Sequence, residues 1–196
     1  MLDGIGKPWF VAIGASGADG LDDIKDILRE LPSSLNAVVL IVLHRPWDKP
    51  SHLAAVLGRA ARMPVRVALD GDQFTPGTAY VGEPADHLTL VANSFGRLID
   101  DTDCTHRNRT VDLLFRSVAA HGGSRIIGVV LSGSLDDGSR GLAAINEIGG
   151  LSMVLTPARP PEQGMPENAI SYGGPIDLIG SPSEIAQAIC AAVRQP

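Results

Sequence analysis

Cysteine is scarce in this chain, with Cys104 and Cys190 the two among 196 residues. Two cysteines cannot build a disulfide framework, and their separation offers no zinc-type spacing, which fits a reduced, cytoplasmic compartment. Long apolar runs are missing too. The best, Ala37 to Leu43, is strand-sized and far below the roughly 20 residues of a membrane helix. Met1 to Pro8 lacks the basic region and apolar core of a signal peptide. Positive charge is in the minority: 16 Lys and Arg against 22 Asp and Glu give a net charge of -6. A nucleic acid or an anionic membrane surface would be repelled overall. The five histidines form no ligand spacing such as H-E-x-x-H, so neither metal nor other cofactor is expected. Repeats and low-complexity segments are absent. What remains, 44% hydrophobic and 19% charged, reads as one ordinary globular domain over residues 1–196.

The apolar run from Trp9 to Ile13 is too short for a helix and ends in glycine, as a buried strand does. The small residues Gly14-Ala15-Ser16-Gly17-Ala18 then turn the chain. A helix follows, with Asp19 as expected N-cap and Leu21, Ile24, Ile27 and Leu28 on one face. Ser16 thus sits in a strand-turn-helix elbow that exposes its hydroxyl near helix N–H groups. Ala18 breaks the G-x-S-x-G pattern of a nucleophile elbow. Glycines 14, 17 and 20 also suggest a phosphate loop, yet they match neither the dinucleotide fingerprint nor the lysine-bearing P-loop.

Ala37 to Leu43 is continuously apolar and β-branched, the mark of a strand covered on both faces in a parallel sheet. It ends at His44-Arg45-Pro46-Trp47. Residues 51–61 carry Leu53, Val56, Leu57 and Ala60 at helical spacing. Short strand candidates at Val65–Val67, Ala79–Val81, Leu88–Val91 and Arg97–Ile99, separated by turn residues, suggest a small β meander inserted around residues 64–100. Thr110 is the expected N-cap of a helix with Val111, Leu114, Phe115 and Val118 on one stripe, closed by Gly122-Gly123. Ile126 to Leu131 is another buried strand, followed by a helix from Ser139 to Ile148 and a strand from Leu151 to Leu155. Proline-rich Pro157 to Pro166 is expected to be loop, and the last helix lies near Ser183 to Val193. This alternation implies an α/β fold: a doubly wound, mainly parallel, Rossmann-like three-layer sheet with right-handed crossovers.

Ligands in such sheets bind beyond the carboxyl ends of the strands. Ser16, His44 and Asp137 each fall just after a buried strand. A serine nucleophile needs a base, and the base needs a carboxylate to hold its tautomer and stabilise the imidazolium. Each residue also has a plainer role open to it. Ser16 fits a tight turn by its size, His44 could cap or be buried, and Asp136 or Asp137 could cap the following helix. The basic stretch His106-Arg107-Asn108-Arg109 reads as a solvated loop unless it borders a pocket.

In their order and spacing, these segments resemble the catalytic domain of the chemotaxis receptor protein-glutamate methylesterases, the CheB family. The shared landmarks are Ile13-Gly14-Ala15-Ser16, His44 with Pro46, Asp70-Gly71, Pro76 to Val81, Asp86-His87, Arg107 to Ala119, Gly128 to Gly133, Asp137-Gly138 and Gly164-Met165-Pro166. The resemblance runs from Phe10 to the last helix. It implies a serine hydrolase with Ser16 as nucleophile, His44 as general base and acid, and Asp137 as orienting carboxylate. Backbone N–H groups near Gly17 and Ser134 become the oxyanion-hole candidates. Arg45, Arg107, Arg109 and Met165 become substrate-loop candidates. The implied substrate is a glutamyl methyl ester on the cytoplasmic helices of a chemoreceptor, with glutamine deamidation as a companion activity.

The surroundings of the three residues differ from the family pattern. Gly17, Ala18 and Asp19 stand where threonine and two glycines are usual, Leu43 and Arg45 flank His44 in place of glutamine and methionine, and Ser134-Leu135 replaces methionine-glycine. Glu167 follows Pro166 where arginine is usual. These differences keep an alternative open, a degenerate methylesterase-like binding module in a signalling complex. With its first strand inside the first dozen residues, the sequence is expected to lack the family's N-terminal receiver domain, either as a piece of a longer protein or as a stand-alone esterase domain.

Overall fold

Trp9–Ser16 (β1) and Ala37–His44 (β2) lie side by side at the centre of a parallel sheet, paired without slippage from Trp9↔Ala37 to Ser16↔His44. Both are buried on both faces, as their unbroken apolar runs require. The computed structural model describes residues 8–46, 51–100, 109–134, 136–157 and 164–194. Among these, the main sheet adds Val65–Val67 (β3), Thr78–Val81 (β4), Ile126–Val130 (β7), Leu151–Leu155 (β8) and Leu178–Gly180 (β9). The strand order is β3-β4-β2-β1-β7-β8-β9, and every pairing is parallel. The chain builds outward from β1 through β2 and then returns to β1's other side with β7, so the switch point lies at the carboxyl end of β1.

Alternate residues of the central strands feed two cores. Val11, Ile13, Val39 and Ile41 pack under Gly17–Glu30 (α1), Leu53–Ala60 (α2) and Pro182–Val193 (α6). Phe10, Ala12, Val38 and Leu40 pack under Thr110–His121 (α3), Ser139–Glu147 (α4) and Met165–Ser171 (α5). The result is the expected three-layer α/β sandwich. No helix among the described residues is long and apolar enough to cross a membrane.

The expected meander divides in two. Val65–Val67 and Thr78–Val81 are parallel members of the main sheet. Only Asp86–Val91 (β5) and Phe95–Asp100 (β6) form an antiparallel hairpin, which contributes the buried Leu88 and Leu90 to the α3 side. Short strands of this kind carry no mark of their partner, and the parallel crossover through α2 is invisible to local turn chemistry. Helix starts also shift. Ser16, not Asp19, is the N-cap of α1, because the chain turns immediately after β1; Asp19 lies in the first turn. Likewise α3 takes Arg109 as its N-cap, with Thr110 its first residue. Within the expected loop from Pro157 to Pro166, α5 begins at Met165 with a proline in its first turn, where the missing amide breaks no helical bond. Residues 158–163 of that loop lie outside the described residues.

Candidate active site

Ser16 and His44 are direct cross-strand partners at the ends of β1 and β2. Neighbouring strands run about 4.8 Å apart, and paired residues face the same way, so the two side chains stand together. Their shared face follows from parity: Phe10 and Ala12 precede Ser16 by even steps, Val38, Leu40 and Val42 precede His44, and all five belong to the core under α3 and α4. Asp137, in the turn between β7 and α4, comes to the same place. His44 Nε2 lies 2.6 Å from Asp137 Oδ2, with the imidazole 11% and the carboxylate 0% exposed.

Both Asp137 oxygens also accept backbone N–H groups at the start of α3. Val111 N donates to Oδ2 and Asp112 N to Oδ1, each at 2.8 Å. These amides belong to the first turn of a helix, where they have no intrahelical acceptor and carry the positive end of the helix dipole. With both oxygens acting as acceptors, Nε2 is the ring nitrogen that donates. Nδ1 is left with its lone pair, which is what a base for the neighbouring hydroxyl requires. Gly14 makes this close assembly possible, since a β-carbon there would stand 2.2 Å from Val111 Cγ1.

The elbow after Ser16 turns on Gly17, whose φ of 73° suits glycine. Ser16 is the cap residue of α1 but makes no side-chain capping bond, so its hydroxyl is not spent on the helix. Its amide is engaged, donating to Ser132 O at 2.8 Å, and Ser132 N in turn donates to Asp23 Oδ2 at 3.1 Å. Those two amides are therefore unavailable to a developing oxyanion. Gly17 N–H, one of the two expected donors, is the first amide of α1 and has no acceptor within the helix. Ser134 is exposed on the turn just beyond Gly133. A β-carbon on Gly133 would lie 2.7 Å from Ser16 Cβ, so the turn's backbone presses directly against the serine.

The four substrate-loop candidates separate. Arg109 is exposed at the N-cap of α3, two and three residues before the amides that hold Asp137. Arg107 lies outside the described residues. Arg45 turns onto the protein's own oxygens: Nε and Nη2 donate to Ser51 Oγ, Nη2 to Gly82 O, and Nη1 to Leu43 O. Burial pulls its pKa down while Glu83, 3.9 Å away, works against that. Arg45 is a brace for the loop after β2 rather than a free cation. Met165 is wholly buried, donates its amide to Gly133 O at 2.7 Å, and backs the Gly133 turn from within instead of facing a substrate.

Two acids that the sequence reading left without a role belong to this site. Asp23 holds the Ser132 amide, and burial raises its pKa. Asp112 accepts from the amides of Gly138 and Gly141 in the turn that carries Asp137. Their only sequence signal is an aspartate within an otherwise amphipathic helix, on the side that faces the protein.

Comparison with known proteins agrees with this architecture. Residues 11–189 match the family model described as CheB methylesterase. A protein-glutamate methylesterase/protein-glutamine glutaminase of Pectobacterium atrosepticum is 33% identical over 186 residues, covering 93% of this chain and 52% of that protein. The Salmonella typhimurium protein of the same name is 32% identical over equal shares. The chain thus spans about half the length of these curated relatives. The crystal structure of the Thermotoga maritima CheB methylesterase catalytic domain superposes with a TM-score of 0.84 at 26% identity, covering 95% of this chain and 99% of that one. On the family match and the shared fold, the chain belongs to the CheB methylesterase family.

Proposed function

We propose that this chain is a single catalytic domain that hydrolyses glutamyl methyl esters on the cytoplasmic helices of a chemoreceptor or a similarly methylated protein. The observation that carries this reading is the chain of contacts from the α3 amides through Asp137 to His44 Nε2, with Ser16 beside His44. In the reaction, Nδ1 of His44 takes the Ser16 hydroxyl proton as Oγ attacks the ester carbonyl carbon. The oxyanion is received by backbone N–H groups, with Gly17 and Ser134 as the donors. Collapse breaks the carbonyl–methoxy bond; His44 returns the proton to the leaving oxygen and methanol departs. Water, deprotonated by the same nitrogen, cleaves the acyl-enzyme and restores Ser16 with a free glutamate. Asp137 keeps the imidazole in the useful tautomer and stabilises the imidazolium without itself taking the proton. A glutamine side chain follows the same course with ammonia as leaving group. The cycle needs no cofactor, and a cytoplasmic setting suits the substrate.

The test is methanol release from methylated chemoreceptor cytoplasmic fragments, comparing the wild type with Ser16→Ala. Release that disappears in the variant is expected; release that persists overturns the assignment of the nucleophile. No release from a folded wild type favours the binding-module alternative. Asp137→Asn is expected to retain the fold and to lower kcat by about 10³–10⁴, since an amide no longer selects the Nε2–H tautomer.

A further inference from the structure

Asp112 is 5% exposed and lies in the first turn of α3. A helix cap acts locally, but this carboxylate reaches across to another helix. Its Oδ1 accepts from Gly138 N at 3.1 Å and Gly141 N at 2.7 Å, 26 and 29 residues along the chain. In return, Asp137 accepts the amides of Val111 and Asp112. Each acid closes the amino end of the helix beside the other, and the Asp137 carboxylate sits where the two brackets meet.

Such a pairing is costly. Two carboxylates share one dry space; burial raises the Asp112 pKa and the Asp137 charge raises it further, against the Gly141 and Gly138 amides and Arg116. Capping α4 alone would be served by a small hydroxyl residue beside it. The use of a buried charge from a different helix points to a geometric requirement on the Asp137 turn. Resting on the esterase reading above, we propose that Asp112 is a positioning residue that seats the Gly138–Gly141 turn and thereby fixes Asp137 against His44.

Three variants test this. Asp112→Ala removes the acceptor, and Asp112→Asn keeps an oxygen for both amides. Asp112→Ser leaves a hydroxyl and space for water, and stands in if the alanine variant does not fold. Folding is checked by near-UV circular dichroism. The readouts are kcat and KM for methyl-ester hydrolysis and the ¹⁵N shifts of the His44 imidazole, which report its tautomer with or without turnover. Asp112→Ala, or Asp112→Ser in its place, is expected to lower kcat roughly hundredfold with KM little changed, the penalty of a misplaced group. His44 should then lose its single Nε2–H tautomer. Asp112→Asn should recover most of both. A folded Asp112→Ala or Asp112→Ser that keeps wild-type kcat and a pure Nε2–H tautomer overturns the proposal, as does an Asp112→Asn no better than alanine. If the wild type shows no turnover, the esterase reading fails, and the imidazole shifts alone decide whether Asp112 positions Asp137.

Discussion

Replacing Gly133 by alanine separates what supports the fold from what supports the chemistry. The added β-carbon would stand 2.4 Å from Met165 Sδ and 2.7 Å from Ser16 Cβ, both inside any tolerated contact. Met165 is the adaptable partner, but it is wholly buried and has little room to retreat. Ser16 Cβ is fixed to β1 and cannot yield without moving the strand. Overpacking of this kind costs about 1–3 kcal/mol. Met165→Ala alone costs about 2–5 kcal/mol by emptying its place. In the double variant the new methyl group enters the space that sulfur leaves, so the two losses fall short of additivity by about 1–2 kcal/mol. Turnover behaves differently. The clash with Ser16 survives in the double variant, so ester hydrolysis should stay down by about a hundredfold in both proteins that carry alanine at 133. Urea unfolding of the four proteins gives the stability cycle, and initial rates with the methylated receptor fragment give the activity cycle. Strict additivity of the stabilities, or wild-type rates in Gly133→Ala, would refute this reading of the Gly133 turn.

Two further outcomes follow from charges and caps. Burial holds Asp23 above the ordinary 3.8, so the folded chain binds that proton more tightly than the unfolded chain. Its contribution therefore weakens as pH rises from the ordinary value through the raised one and is constant above both. Asp23→Asn, whose amide oxygen can still accept from Ser132 N, should remove this slope, seen as a smaller decline of the urea midpoint across that window; an unchanged slope refutes it. Ser181 closes a capping box with Glu184 at the start of α6. Ser181→Ala should cost about 1 kcal/mol in urea unfolding without altering esterase turnover, and no loss of stability would count against the box.

The layered fold is legible in the sequence because β1, β2 and β7 are apolar runs with no alternation, and only a sheet covered on both faces accepts them. Ser16 and His44 stand out for a related reason, each being a reactive residue at the end of such a run, while Asp137 follows β7 by seven residues in the connection to α4. The contact between His44 and Asp137 was not legible. It depends on α3 coming close over Gly14, and on two amides that any sequence could supply. Arg45 and Met165 show the opposite failure. The family resemblance makes them substrate-loop candidates, yet tertiary packing turns one onto Ser51 and Gly82 and buries the other. Short pieces such as β9 and α5 carry too few residues for a period to show, and β3 shows as a strand in the sequence without showing its parallel partner.

The unslipped pairing of β1 with β2 acts as a reading frame for the site. Eight pairs lead from Trp9↔Ala37 to Ser16↔His44, and side chains alternate faces at every step. Removing or inserting one residue within either strand would carry the serine or the histidine to the α1 and α6 side of the sheet. Loops beyond the strand ends escape this constraint, since a change there moves no register. Variation in length is thus free at the rim and forbidden a few residues inward, where the serine and the histidine share one face of the sheet.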